Sequence, residues 1–143
     1  ENTQWKIART LQIEEKMKSL NKNITLQGEV IGEGIQKNKY RLKGQTVKFF
    51  NAFDGDNYTY YDFDDFIGLI NLLELETAPI ISREFTLVND IDKLVELSRR
   101  RSSLADIWAE GIVIRALKEK RDEELGRLSF KVVNPEFLLK YEE

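Results

Sequence analysis

The sequence Asp54-Gly55-Asp56-Asn57 separates two runs of aromatic and β-branched residues, Val47 to Phe53 and Tyr58 to Tyr61. Glycine and aspartate or asparagine in that order close a tight turn, and the flanking runs have the chemistry of packed strands, so the segment predicts a β-hairpin. The period then changes at once. Phe63, Phe66, Ile67, Ile70 and Leu73 recur at helical spacing, and Asp62, Asp64 and Asp65 stand at the start, where the helix dipole favours negative charge. A sheet and a helix therefore adjoin without a linker, which points to an α+β chain.

The remaining segments fit that class. Thr3 to Leu20 lacks Gly and Pro and reads as a helix with a loose apolar stripe, broken by Asn21 to Asn23. Ile24 to Ile31 reads as a strand ending at Gly32-Glu33-Gly34, and Ile80 to Val88 as another after Pro79. Asp90 to Arg100 suggests a short helix with Ile91, Leu94 and Val95 inward. Ile112 to Arg115 and Leu128 to Val133 read as strands joined by a charged loop, Lys118 to Glu124, whose signs balance. Asn134-Pro135 opens a last helix, a capping residue followed by proline at the first helical position. The expected fold is mainly antiparallel sheet with flanking helices, residues 1–143 forming one unit with no internal repeat.

Composition narrows the chemistry. The chain has no cysteine and no histidine, which removes disulfides, thiolate or imidazole metal sites and serine–histidine triads. Catalysis would have to run on carboxylates, lysines, arginines and a hard cation. The net charge is -3, so nucleic-acid binding would need a local basic strip rather than a basic domain. Arg99-Arg100-Arg101 reads as the only basic cluster and as the positively charged end of a helix, with RNA phosphate contact as the alternative. No apolar run is long enough to span a bilayer and nothing resembles a secretory signal, so a cytoplasmic protein with neither membrane nor disulfide partner is expected. The chain opens on Glu1 rather than methionine, which reads as a fragment or a processed product.

Three segments carry candidate chemistry. The first runs from Leu26-Gln-Gly-Glu-Val-Ile-Gly-Glu-Gly-Ile-Gln36 to Phe49-Phe-Asn-Ala-Phe-Asp54. In it Glu29 faces away from Leu26, Gly28 and Val30. Taken alone, Glu29 is a solvated strand carboxylate, Phe53 a core aromatic and Asp54 a turn residue. The second is Glu110-Gly-Ile-Val-Ile-Arg115, a carboxylate at a strand entry. The third is Leu128-Ser-Phe-Lys-Val-Val-Asn-Pro135. Alternation puts Lys131 on the side of Ser129 and Val133, where it meets either water or a cleft.

In this order the three segments resemble the motifs of the covalent nucleotidyltransferases: DNA ligases, RNA ligases and mRNA capping enzymes. They are most similar to the nick-sealing branch of ATP-dependent RNA ligases, over roughly Leu26 to Tyr141. The resemblance implies the C-terminal part of an adenylyltransferase (ATP-grasp-like) domain, acting with ATP and Mg2+ or Mn2+ on 5′-phosphate and 3′-hydroxyl RNA ends in RNA repair. By the same resemblance Glu29 binds the ribose, Phe53 stacks on adenine with Asp54 beside it, Glu110 helps hold the divalent cation and Lys131 contacts the α-phosphate. A DNA ligase, a capping-type enzyme and a non-catalytic module that binds nucleotide or RNA are the rival readings. The sequence departs from the family at two points. It contains no Lys-x-Asp/His-Gly, the motif whose lysine takes the AMP, so by itself it is not expected to self-adenylylate. Val133 also stands where many relatives carry a second lysine.

Overall fold

The computed structural model describes residues 2–141, whose contacts divide into two compact units. Of the described residues, the first comprises 2–38 and 43–78, the second 39–42 and 79–141.

In the first unit the expected N-terminal helix is two: α1 (Thr3–Thr10) and α2 (Ile13–Ser19). Gln12 between them is left-handed, with φ 53°. That break lets Ile7 and Leu11 on one side, and Ile13, Met17 and Leu20 on the other, all reach the core. One straight helix would spread them over a stripe too loose to bury. β1 (Ile24–Gly32) then pairs antiparallel with β2 (Gln45–Asp54), and β3 (Thr59–Tyr60) returns along β2 through the predicted turn. α3 (Phe63–Leu72) buries Phe66, Leu69 and Ile70 against the sheet, each worth roughly 1.5–3 kcal/mol of apolar burial. It ends without a glycine. Glu74 takes the left-handed position (φ 52°) while the Leu75 and Glu74 amides donate to the Ile70 and Asn71 carbonyls, both at 3.0 Å. This is the Schellman closure, and it turns Leu75 back into the core beside Ile70.

The second unit holds α4 (Ile91–Ser98), β4 (Gly111–Arg115), β5 (Arg121–Asp122), β6 (Gly126–Arg127), β7 (Ser129–Val133) and α5 (Pro135–Tyr141). β4 pairs antiparallel with β7, and β5 with β6. Three expectations need correction here. Residues 80–88 form no strand; Ile80, Ile81, Phe85 and Leu87 are exposed, since β propensity without a neighbouring strand satisfies no backbone group. On α4, which Asp90 caps through the Lys93 amide at 3.1 Å, Ile91 points outward and the buried residue is Ser98. The charged loop is a small hairpin, tied by Arg127 to both carboxylate oxygens of Glu119 at 2.6–3.1 Å. The helix after Asn134-Pro135 forms as expected.

Candidate functional site

Glu29, Phe53 and Asp54 lie on the β1–β2–β3 sheet of the first unit. Thr25 stands opposite Phe53, Gln27 opposite Asn51, and Glu29 opposite Lys48. Alternation along β1 puts Thr25, Gln27 and Glu29 on the side away from Leu26 and Val30, which pack against the core. On β2 the matching side is reached through a bulge. The register passes from Gln27–Asn51 directly to Gly28–Phe49, leaving Phe50 as the extra residue. Because a strand has period two, that one residue moves Phe53 from the side of Val47 and Phe49 to the side of Lys48. Ala52 takes the core position instead, at 2 % exposure. Gly28 makes room for the distortion, since a Cβ there would lie 2.9 Å from the Lys48 carbonyl and the Phe49 ring.

This outer side has an aromatic cluster at one end and polar residues beyond it. Phe53 meets Tyr58 and Tyr60 edge-on, with ring centroids 5.2 and 5.1 Å away, so these tyrosines buttress it. Next along the ladder, Asn51 donates to Gln27 Oε1 at 2.8 Å. Lys48 follows, in an ion pair with Glu76, whose own segment hydrogen-bonds to Phe49. Glu29 is exposed across from Lys48. Four strand positions separate it from Thr25, opposite Phe53, about 13 Å along the ladder. Asp54 serves the turn. Its carboxylate accepts from the Asn57 side-chain amide at 2.8 Å and from the Asp56 and Asn57 backbone amides at 2.9 and 3.1 Å. Those bonds, the Asn57 side chain foremost, hold its carboxyl below the ordinary aspartate range.

Glu110 and Lys131 lie in the second unit, and the fold brings them together. Lys131 Nζ donates to Glu110 Oε1 at 2.7 Å. Lys131 stands opposite Val113 on the side of the β4–β7 ladder that also carries Arg115 and Ser129, joined by a 3.1 Å hydrogen bond. Glu110 precedes β4, and Gly111 fixes how closely that strand approaches, because a Cβ there would lie 2.2 Å from the Val132 carbonyl. Asn134 locks the corner. It has no exposed surface, its backbone amide donates to the Glu110 carbonyl at 2.8 Å, and its side-chain amide donates to the Ala109 carbonyl at 2.9 Å. Its side-chain oxygen accepts from the Glu136 amide at 3.0 Å and caps α5. Ser98, also fully buried, donates to the Val133 carbonyl at 3.2 Å and ties α4 to the same strand end.

The donor set suits one kind of cation. Among the described residues no three acidic side chains gather into a cage. A single carboxylate beside an ammonium fits a magnesium-like ion that arrives with substrate phosphates and keeps most of its water.

The sequence reading passes over three residues of the outer sheet side, Gln27, Asn51 and Lys48; only the bulge register places them with Phe53 and Glu29. Of the three arginines, Arg99 pairs with Glu96 at 3.2 Å and Arg101 lies 4.8 Å from the Trp108 ring centroid. A longer basic run, Lys37 to Lys48, has a plain sequence signal: between Glu33 and Asp54 there is no acidic residue.

The first unit thus carries Glu29 and Phe53 on one side of its sheet, and the second a glutamate–lysine pair beside its own ladder. The family model described as RNA ligase matches residues 1–133, and the chain belongs to that family. Its fold is similar to solved structures of Naegleria gruberi RNA ligase. A lysine-to-methionine variant with AMP and Mn gives a TM-score of 0.88 at 29% identity. A lysine-to-alanine variant with ATP and Mn gives 0.84 at 28%, and the ligase with PPi gives 0.82 at 29%. Each match covers 99% of this chain but 41% of the Naegleria chain. Comparison with curated proteins returned no match. No helix among the described residues is long and apolar enough to cross a membrane.

Proposed function

We propose that this chain supplies nucleotide-binding residues of an ATP-dependent RNA ligase that joins 5′-phosphate and 3′-hydroxyl RNA ends through enzyme–AMP and RNA–adenylate intermediates, in RNA repair. The observation that carries the reading is the Glu110–Lys131 pair, held at 2.7 Å by a corner of buried hydrogen bonds. A carboxylate for a divalent cation and an ammonium for a phosphate are set side by side, the arrangement that phosphoryl transfer needs to neutralise charge at one phosphorus. Each occupies the other's charge until nucleotide and cation replace them. In this reading Glu29 holds the ribose hydroxyls, Phe53 offers its outer face to adenine, and Asp54 shapes the turn that holds the ring. Lys131 contacts the α-phosphate and Glu110 helps bind Mg2+ or Mn2+, which would act as Lewis acid on the phosphate oxygens. The lysine that takes the AMP belongs to a motif these 143 residues do not contain, so this stretch alone does not self-adenylylate.

The AMP- and ATP-bound states of the Naegleria ligase support the nucleotide assignment. Calorimetric titration of ATP with Mg2+ or Mn2+ into the 143-residue chain tests it. Saturable binding in the micromolar to millimolar range is expected, and no heat at millimolar nucleotide would reject the assignment.

A further inference from the structure

The connection between β1 and β2 carries the strongest uniform charge in the molecule. Lys37, Lys39, Arg41 and Lys43 alternate with neutral residues, and no acid lies between Glu33 and Asp54. Among the described residues none of the four makes an ion pair. That is unlike the hairpin at residues 118–127, where Arg127 is matched by Glu119. The segment's backbone is also unusual. Gln36, Lys37, Asn38 and Arg41 all have φ between 43° and 62°, a left-handed conformation that non-glycine residues avoid. Costly geometry of this kind persists where a segment's shape matters to function. It is anchored from within: Tyr40 and Leu42 are half-buried, and the Lys39 ammonium lies 4.9 Å from the centroid of the buried Phe137 ring. Lys37, Arg41 and Lys43 are exposed.

We propose that residues 37–43 form a contact surface for the phosphate backbone of the RNA. This rests on RNA being the substrate, and names where on this chain the strand is gripped. Phosphate contacts come from lysine and arginine side chains that need no apolar surround. A docking site for a protein would present an exposed aromatic or aliphatic anchor, and this segment keeps Tyr40 and Leu42 tucked in. The chain is acidic as a whole, so a local strip is how it can hold a polyanion without a basic domain.

The test is the salt dependence of binding of a 5′-phosphorylated single-stranded RNA to the 143-residue chain, followed by fluorescence anisotropy. The triple variant Lys37→Asn, Arg41→Asn, Lys43→Gln keeps residues tolerant of left-handed backbone and leaves Lys39 on its ring. Each lost phosphate contact lowers the slope of log affinity against log salt by roughly 0.7 for single strands, so the variant should lose about 2. The double variant Lys37→Arg, Lys43→Arg should keep the slope, and so should Lys120→Gln with Arg121→Gln in the hairpin. An unchanged slope in the triple variant overturns the proposal, as does a wild-type chain that ignores RNA at low salt. Equal affinity for polyglutamate would assign the strip to an acidic protein instead and also overturn it. ATP titration on the same samples judges the nucleotide reading separately, since the triple variant leaves Glu29, Phe53, Glu110 and Lys131 untouched.

Discussion

Lys131 Nζ and Glu110 Oε1 lie 2.7 Å apart across 21 residues of sequence. Their side chains keep 55% and 43% of their surface exposed. A pair so open to water contributes little to folding, about 0–1 kcal/mol. The hydrogen bonds of Asn134 hold the backbone corner beside it, so the fold does not depend on the pair, and the proposed role of Glu110 and Lys131 can be tested apart from stability.

Lys131→Ala and Glu110→Ala should therefore separate stability from chemistry. Placed in a complete ligase that carries the nucleophilic lysine, each substitution should leave the melting temperature within a few degrees of wild type. Sealing of nicked RNA should fall by roughly 100-fold or more, the scale of losing a group that stabilises transition-state charge. Sealing at the wild-type rate in either variant would reject the assignment.

Phe53→Ala should weaken ATP binding. A base stacked on an aromatic ring is worth roughly 1–3 kcal/mol, so calorimetry should read a loss of about 5- to 150-fold in affinity. Tyr58 and Tyr60 touch the same ring edge-on, and Tyr58→Ala should have the smaller effect because it removes a buttress rather than the platform. If Phe53→Ala binds ATP as well as wild type does, the ring belongs to the hairpin alone.

Asn134 is the residue on which the Glu110 corner depends. Asn134→Ala strips the cap of α5 and leaves the Ala109 carbonyl without its donor, and urea unfolding should show a loss of about 3 kcal/mol. Asn134→Ser keeps a neutral cap acceptor and loses the reach to the Ala109 carbonyl, so it should cost less. Equal losses in the two variants would mean that the cap carries none of the stabilisation.

Asp54 should confer acid sensitivity on the hairpin. Its folded-state carboxyl titrates below its ordinary value, held there first by the Asn57 side chain. The sign follows: its contribution is complete above the ordinary aspartate pKa and is lost as pH falls through the lower folded value. NMR titration should find the Asp54 carboxyl titrating below the ordinary aspartate value, and Asp54→Ala should remove that part of the acid dependence of unfolding. A titration at the ordinary aspartate value would contradict the turn geometry.

Much of this arrangement is legible locally. The turn at Asp54 to Asn57, the acidic start of α3 and the Asn134-Pro135 start of α5 depend on residues within four or five positions, and each forms as the sequence predicts. The order of the three motif segments is equally a property of the string, and it led to the family that the comparisons establish. Segments whose state depends on distant partners were less legible. Residues 80–88 have strand chemistry but no strand beside them, and α1 and α2 split because the core, rather than helix propensity, sets where apolar residues must go.

Sequence by itself determined which residue types are available for chemistry, where the chain turns, and which motifs stand in which order, because those follow from composition and short-range backbone preference. Tertiary structure alone decided which side of the sheet Phe53 occupies and which residue Lys131 touches. Period-two alternation along β2 groups Phe53 with Val47 and Phe49, in the core. The bulge at Phe50 reverses that parity, and it exists because β1 pairs with β2 in a register that no local window of sequence contains. Likewise Glu110 meets Lys131 only when two strands are zipped and Asn134 is buried between their ends. Long-range pairing places a side chain by its partner's position as well as by its own neighbours, and for Glu110 that partner is Lys131.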